Sequence, residues 1–170
     1  IYVTGNLGDS YLGLKALSKK FEFKNKDKIF FIDKYYKPEL PLNLTKYLLK
    51  FANSSIDISD GLIDDLTKMI NRQNLSFHLF ENKIPVSNKL SNYIKKQILN
   101  KINIISNGDD YQVLFTADIK KARIIQNASK ATGIKITKIG KIVSGKDRSL
   151  IFDEKGKQIQ AKSKGYIHQF

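Results

Sequence analysis

Ser55-Ile56-Asp57-Ile58-Ser59-Asp60-Gly61-Leu62 reads first as a strand and then as the start of a helix. Ile56 and Ile58 point one way and Asp57 and Ser59 the other, as in a half-buried strand. Asp60 and Gly61 end that alternation. Beyond them Leu62, Leu66, Met69 and Ile70 recur at helical spacing, while Asp64, Asp65 and Lys68 fall on the polar side. The same hand-over occurs upstream, where Ile1, Tyr2 and Val3 form an apolar strand and Thr4 to Ser10 a glycine loop. The helix that follows carries Leu14, Leu17 and Phe21 at i, i+3 and i+7, with Asp9 or Ser10 as its cap. Phe23 to Lys28 is charged and loop-like, Pro38 and Pro41 impose a turn, and Tyr47, Leu48 and Phe51 give Leu42 to Phe51 helical spacing. Downstream, Leu75 to Phe80 reads as a strand, and Ile84 to Ser87 leads into a helix through Leu90, Ile94 and Ile98. Ser106 to Asp110 is an oxygen-rich turn before the apolar strand Tyr111 to Phe115. Ile134, Ile136 and Ile142 sit near strand turns at Gly140 and Gly145. Strands and helices interleave throughout, so the expected class is α+β, in mixed α/β layers with sheet packed against helices.

The 170 residues, 41% of them hydrophobic, suffice for one sizeable core, and residues 1–170 are expected to form a single domain. The chain starts at Ile1 with a buried strand and no lead-in, which reads as a piece of something longer. There is no Cys, and the histidines are His78 and His168. Disulfides, thiol nucleophiles and thiolate or multi-histidine metal sites are thereby excluded, a reducing, cytoplasmic setting is expected, and carboxylate chemistry with a hard cation stays open. No run of about 18 apolar residues exists to span a membrane.

Lys and Arg number 30 against 16 Asp and Glu, a formal net charge of +14, yet the arginines are Arg72, Arg123 and Arg148 alone. Base readout and bidentate phosphate clamps favour Arg, so nucleic acid is the weaker reading. Lysines scattered among many Asn and Ile match a drift towards AT-rich codons, with the charges on solvated faces.

Three segments could carry chemistry. Asp57, Ser59 and Asp60 bring two carboxylates and a hydroxyl to the place where strand meets helix, and such hard oxygens suit Mg²⁺ bridging to substrate phosphates. The same residues also read as a surface Asp57 and a helix-capping Asp60. Gly5 and Gly8 ahead of a helix could cradle an anion or simply make a left-handed turn, and their spacing matches neither standard phosphate motif. Gly108-Asp109-Asp110-Tyr111 offers adjacent acids for a metal or an amine, or a plain side-chain-capped turn.

In order along the chain, Val3-Thr4-Gly5-Asn6-Leu7-Gly8-Asp9-Ser10, Ile56 to Leu62 with Asp65-Leu66, Ile84-Pro85-Val86-Ser87, Gly108 to Tyr111 with Leu114-Phe115-Thr116, Ile139-Gly140 and Gly165-Tyr166-Ile167-His168 resemble thiamine-monophosphate kinase. The resemblance covers nearly the whole chain, and Asp-Ile-Ser-Asp-Gly-Leu is its most diagnostic string. It implies the carboxy-terminal domain of the aminoimidazole-ribonucleotide-synthetase-like superfamily, with the amino-terminal ATP- and Mg²⁺-binding domain and the homodimer interface outside this chain. It further implies ATP-dependent phosphorylation of thiamine monophosphate to thiamine diphosphate, with Asp57 and Asp60 binding Mg²⁺ and Ser59 touching ATP. Asp109 stands where the family usually has a Glu contacting the thiamine phosphate, and Tyr166 matches an aromatic that packs on the substrate. Where the family has a proline-arginine element, this chain has Pro38-Glu39-Leu40-Pro41, without the Arg. The alternatives are a sister enzyme such as selenophosphate synthetase or the hydrogenase-maturation carbamoyl dehydratase, an inactive isolated domain, or a basic polyanion-binding module.

Overall fold

The computed structural model describes residues 1–71 and 73–161. Strand β1 (Tyr2–Thr4) leads to helix α1 (Asp9–Leu17), α2 (Asn25–Tyr36), a short 3-10 turn at Leu42–Leu44 and α3 (Thr45–Phe51). Next come β2 (Ala52–Asp57), α4 (Leu62–Met69), β3 (Leu75–Phe80), α5 (Asn88–Lys95) and α6 (Lys101–Ile105). The remainder is β4 (Val113–Ala117), α7 (Ala122–Thr132), β5 (Ile136–Lys138), β6 (Gly140–Ser144), β7 (Leu150–Phe152) and β8 (Gln158–Ile159). The expected mixed class is what the molecule has.

The strands form two four-stranded sheets, ordered β2-β4-β1-β5 and β6-β3-β7-β8. Every neighbouring pair in the first is antiparallel. In the second, β3 and β7 run parallel and the other pairs antiparallel. Two-residue periodicity divides the first sheet's side chains between two cores. Val3 and Leu114 join Phe77, Leu79 and Ile151 of the second sheet, together with Leu62 and Leu66 of α4 and Ile102 and Ile105 of α6. Tyr2 and Phe115 face the other way, stacked on each other with ring centroids 5.3 Å apart, and pack against Phe51 of α3 and Ile125 and Ala128 of α7. A third cluster joins the helices through Leu12, Phe31, Leu90 and Ile104.

Several expectations from the sequence need correction. The buried face of α1 is Leu12, Gly13 and Ala16, not Leu14, Leu17 and Phe21; the helix stops at Leu17, which is exposed, and Phe21 lies past its end. Small residues win that face because α2 lies close along it: a Cβ on Gly13 would collide with the Phe31 carbonyl. Within the charged stretch expected to be loop, α2 begins at Asn25. The α5 helix ends at Lys95, short of Ile98, and Gln97 is left-handed with φ 57°. Its cap is Ser87, whose Oγ accepts the Leu90 N–H at 3.1 Å. No helix of the described residues is long and apolar enough to cross a membrane.

Candidate active site

Register fixes where the three chemical segments meet. Val3 pairs with Leu114 and Asp57 with Val113, so the ends of β1 and β2 flank the start of β4, and all three loops leave one edge of the first sheet. Past that edge the β2–β4 pairing continues irregularly: Ile58 N–H donates to Gln112 O at 2.9 Å, Tyr111 N–H to Ile58 O at 2.9 Å and Asp109 N–H to Ser59 O at 3.0 Å. The two loops touch backbone to backbone. A Cβ at Gly108 would collide with the Ser59 carbonyl and one at Gly61 with the Ser106 carbonyl, so both close approaches require glycine. Gly61, at φ 127°, also has backbone that side chains disfavour. Asp109 and Tyr111 are left-handed too, with φ 68° and 50°. Such geometry is tolerable for Asp and costly for Tyr.

A buried carboxylate holds the first loop. Asp65 Oδ2 accepts the N–H groups of Ser59, Asp60 and Gly61, each at 3.0 Å. These donors partly offset the burial, which still leaves its pKa raised. Asp60 therefore does not cap α4; Gly61 stands at the cap position, and the Asp60 carboxylate bonds to Lys68. Lys68 Nζ also lies 2.7 Å from Asp64 Oδ2 and 3.6 Å from Asp65 Oδ1. Its own pKa is raised by those bonds to Asp60 and Asp64. Oxygens of Asp60, Asp64 and Asp65 lie within 4.8 Å of one another, and Asp57 is not in that set of three.

Adjacent acids on the facing loop have opposite fates, because the left-handed turn at Asp109 sends them to different sides. Asp109 is half-buried, and burial and then the charge of Asp60 raise its pKa. Asp110 is buried and accepts the Gly8 N–H on Oδ2 at 2.7 Å, which pins the start of α1 to this loop. Burial, with the charge of Asp9 adding, pushes Asp110 up to about 8. Asp9 is likewise raised by burial, to about 6, and accepts from Ser87 Oγ at 2.7 Å. Neither Asp9 nor Ser10 caps α1; left-handed Gly8 occupies that position, and Ser10 Oγ donates to Lys34 O. Thr4 Oγ1 donates to Gln112 Oε1 at 2.7 Å and accepts Val113 N–H at 2.8 Å, closing the glycine loop onto β4.

Asp57, Ser59, Asp60 and Asp109 thus share one edge. Asp57 is exposed at the last position of β2, and Ser59 and Asp60 are half-buried. The Tyr111 phenol, raised first by burial, feels the charges of Asp109, Asp57 and Asp60 together. Both the N–H and the C=O of Ser59 are committed to protein, so the group it can offer a ligand is its hydroxyl. Tyr166 lies outside the described residues. Reading the sequence alone offered Asp110 as a metal or amine ligand or a turn residue, not as the buried acceptor of the Gly8 N–H, and gave no role to Asp65, Lys68 or Gln112. The available signal was spacing: Asp65 sits four residues after Gly61, in the first helical turn, where a carboxylate meets free N–H groups.

No protein-family model matches the chain. Thiamine-monophosphate kinase of Buchnera aphidicola subsp. Schizaphis graminum is 36% identical over 170 residues, 99% of this chain and 52% of that protein. The crystal structure of thiamine monophosphate kinase from Aquifex aeolicus superposes with a TM-score of 0.71 at 30% identity, covering 93% of this chain and 50% of that one. The structure of AaThiL complexed with AMPPCP and TMP gives a TM-score of 0.73 at 29% identity over 98% of this chain and 50% of that one. Escherichia coli HypE, a hydrogenase maturation protein, shares the fold alone, with a TM-score of 0.68 at 14% identity. The chain spans about half the length of the relatives it matches. Over that span, the carboxy-terminal half with an aminoimidazole-ribonucleotide-synthetase-like fold, it belongs to the thiamine-monophosphate kinase family.

Proposed function

We propose that this chain is the carboxy-terminal part of an enzyme that transfers the γ-phosphoryl group of ATP in line to the phosphate of thiamine monophosphate, giving thiamine diphosphate. The observation that carries the reading is the gathering of Asp57, Ser59, Asp60 and Asp109 on one sheet edge by loops locked backbone to backbone. The AaThiL structure, which holds AMPPCP and TMP on the same architecture, supports the choice of substrates. An amino-terminal domain completes the site, in a cytoplasmic homodimer.

Each residue has a role its position permits. Asp57 and Asp60 bind Mg²⁺. The donor set fits a hard cation: it is all oxygen, and Asp57 and Asp60 lie close enough together that the Tyr111 phenol feels the charge of both. When bound there, Mg²⁺ neutralises phosphate charge. Ser59 offers its hydroxyl to ATP from a backbone that Asp65 and Asp109 hold still. Asp109 is aimed by its left-handed backbone, and with Tyr166 it contacts thiamine monophosphate. No general base is needed, because the accepting phosphate oxygen is already ionised, and positioning supplies most of the catalysis.

The test is Asp57→Asn in the complete enzyme. Turnover should fall by roughly 100-fold or more. Stability should stay within about 0.5 kcal/mol, because the side chain is exposed. Activity within a few-fold of the parent would remove Asp57 from the site.

A further inference from the structure

We propose that Lys68 is an exchangeable internal cation: its ammonium occupies the place among Asp60, Asp64 and Asp65 that a divalent ion at Asp60 needs, so the lysine sets the affinity of that site for metal. The inference rests on the reading of Asp60 as a metal ligand.

The geometry is that of one cation on three carboxylates. Oxygens of Asp60, Asp64 and Asp65 come within 4.8 Å of one another. Lys68 Nζ is hydrogen-bonded to Asp60 Oδ2, lies 2.7 Å from Asp64 Oδ2 and 3.6 Å from Asp65 Oδ1. Helical spacing sets this up, since Asp64 and Asp65 precede the lysine by four and three residues and so share its face. An ammonium has three donors and accepts nothing, which matches three converging acids. Asp65 Oδ2 is already taken by three backbone N–H groups, so only Oδ1 faces the lysine.

The arrangement is also reversible. The Lys68 side chain is 46% exposed, on a flexible four-carbon stem, and can swing into water. Asp60 and Asp64, at 22% and 33%, are reachable from the same side. A divalent ion entering beside the ammonium meets repulsion at close range, so the two cations compete for Asp60. In the absence of metal the lysine keeps the acids from repelling one another; in its presence the lysine is the competitor.

The experiment titrates the ¹⁵N-labelled chain with Mn²⁺, following paramagnetic broadening of the amide signals of residues 57–61, with Mg²⁺ as the diamagnetic competitor. Wild type is compared with Lys68→Met, Lys68→Gln, Lys68→Arg and Asp60→Asn. Removing the charge in the Met or Gln variant should lower the Mn²⁺ midpoint by about tenfold, while Lys68→Arg, which keeps it, should stay near wild type. Equal midpoints in wild type and whichever neutral variant keeps a folded spectrum would overturn the exchange while leaving the metal assignment intact, provided that Asp60→Asn abolishes the broadening. Broadening that is unchanged by Asp60→Asn, or absent from these amides both in the chain alone and with an added amino-terminal half from the family, would overturn the metal reading and the exchange with it.

Discussion

Asp9 and Asp110 are two buried carboxyls beside the start of α1, each raised chiefly by burial, with the charge of Asp9 adding to the cost of ionising Asp110. Raised folded-state pKa values mean that the native protein holds protons the unfolded chain has released. Stability from these groups is therefore complete below about pH 4 and is lost as pH rises, through about 6 for Asp9 and about 8 for Asp110. Between pH 6 and 8 the loss belongs to Asp110, at up to about 1.4 kcal/mol per pH unit. Asp110→Asn keeps an oxygen for the Gly8 N–H but cannot ionise. The Ile1 ammonium, lowered by burial to about 6, adds an opposite slope to both proteins in this window. The test is therefore the difference: stability from urea unfolding across pH 6 to 8 should fall with pH for wild type relative to the variant, and parallel curves would contradict the assignment. Asp65 is also raised by burial, but three N–H donors oppose that cost. Asp65→Ala should lower stability by about 3 kcal/mol, because three loop donors lose their acceptor. The Asn variant, which keeps one oxygen, should lose less, and equal losses in a denaturant series would deny the loop-holding role.

At the scale of elements, what was legible followed from periodicity. β2, α4 and β3 were clear because Ile56 and Ile58 alternate with polar residues, Leu62 and Leu66 keep helical spacing, and Leu75 to Phe80 is bounded by turn residues. α2 was hidden: Ile29 to Ile32 is a continuous apolar run rather than a stripe, and its first residue is 70% exposed. The fully buried side chain of that helix is Phe31, which packs on Phe23 and Tyr93. Phe31→Ala should therefore cost about 3 to 5 kcal/mol, read from the denaturation midpoint. A cost under about 1 kcal/mol would mean that α2 is not held to the third core. The candidate site was legible as three strings and not as a geometry. Only the antiparallel register of β1, β4 and β2 shows that residues some fifty positions apart share an edge. Partners such as Lys68 and Gln112 belong to residue types that usually face solvent, so composition gave no reason to single them out.

For the whole molecule, the net charge of +14 and the acidic sheet edge have to be reconciled. A basic surface collects anions, and an edge that gathers Asp57, Asp60 and Asp109 would repel them unless a cation intervened. Two phosphorylated substrates with Mg²⁺ between acids and phosphates satisfy both features; a polyanion-binding module leaves the acids without a purpose. The chain aligns with about half of a thiamine-monophosphate kinase, so the central claim is that it holds one part of a shared site. The most direct test is to follow thiamine diphosphate formation from ATP, Mg²⁺ and thiamine monophosphate with the chain alone and with an added amino-terminal half from the family. Turnover that requires both parts, and that is lost with Asp57→Asn, is the predicted result. No turnover with the added half, together with tight, salt-sensitive binding to polyanions, would contradict it.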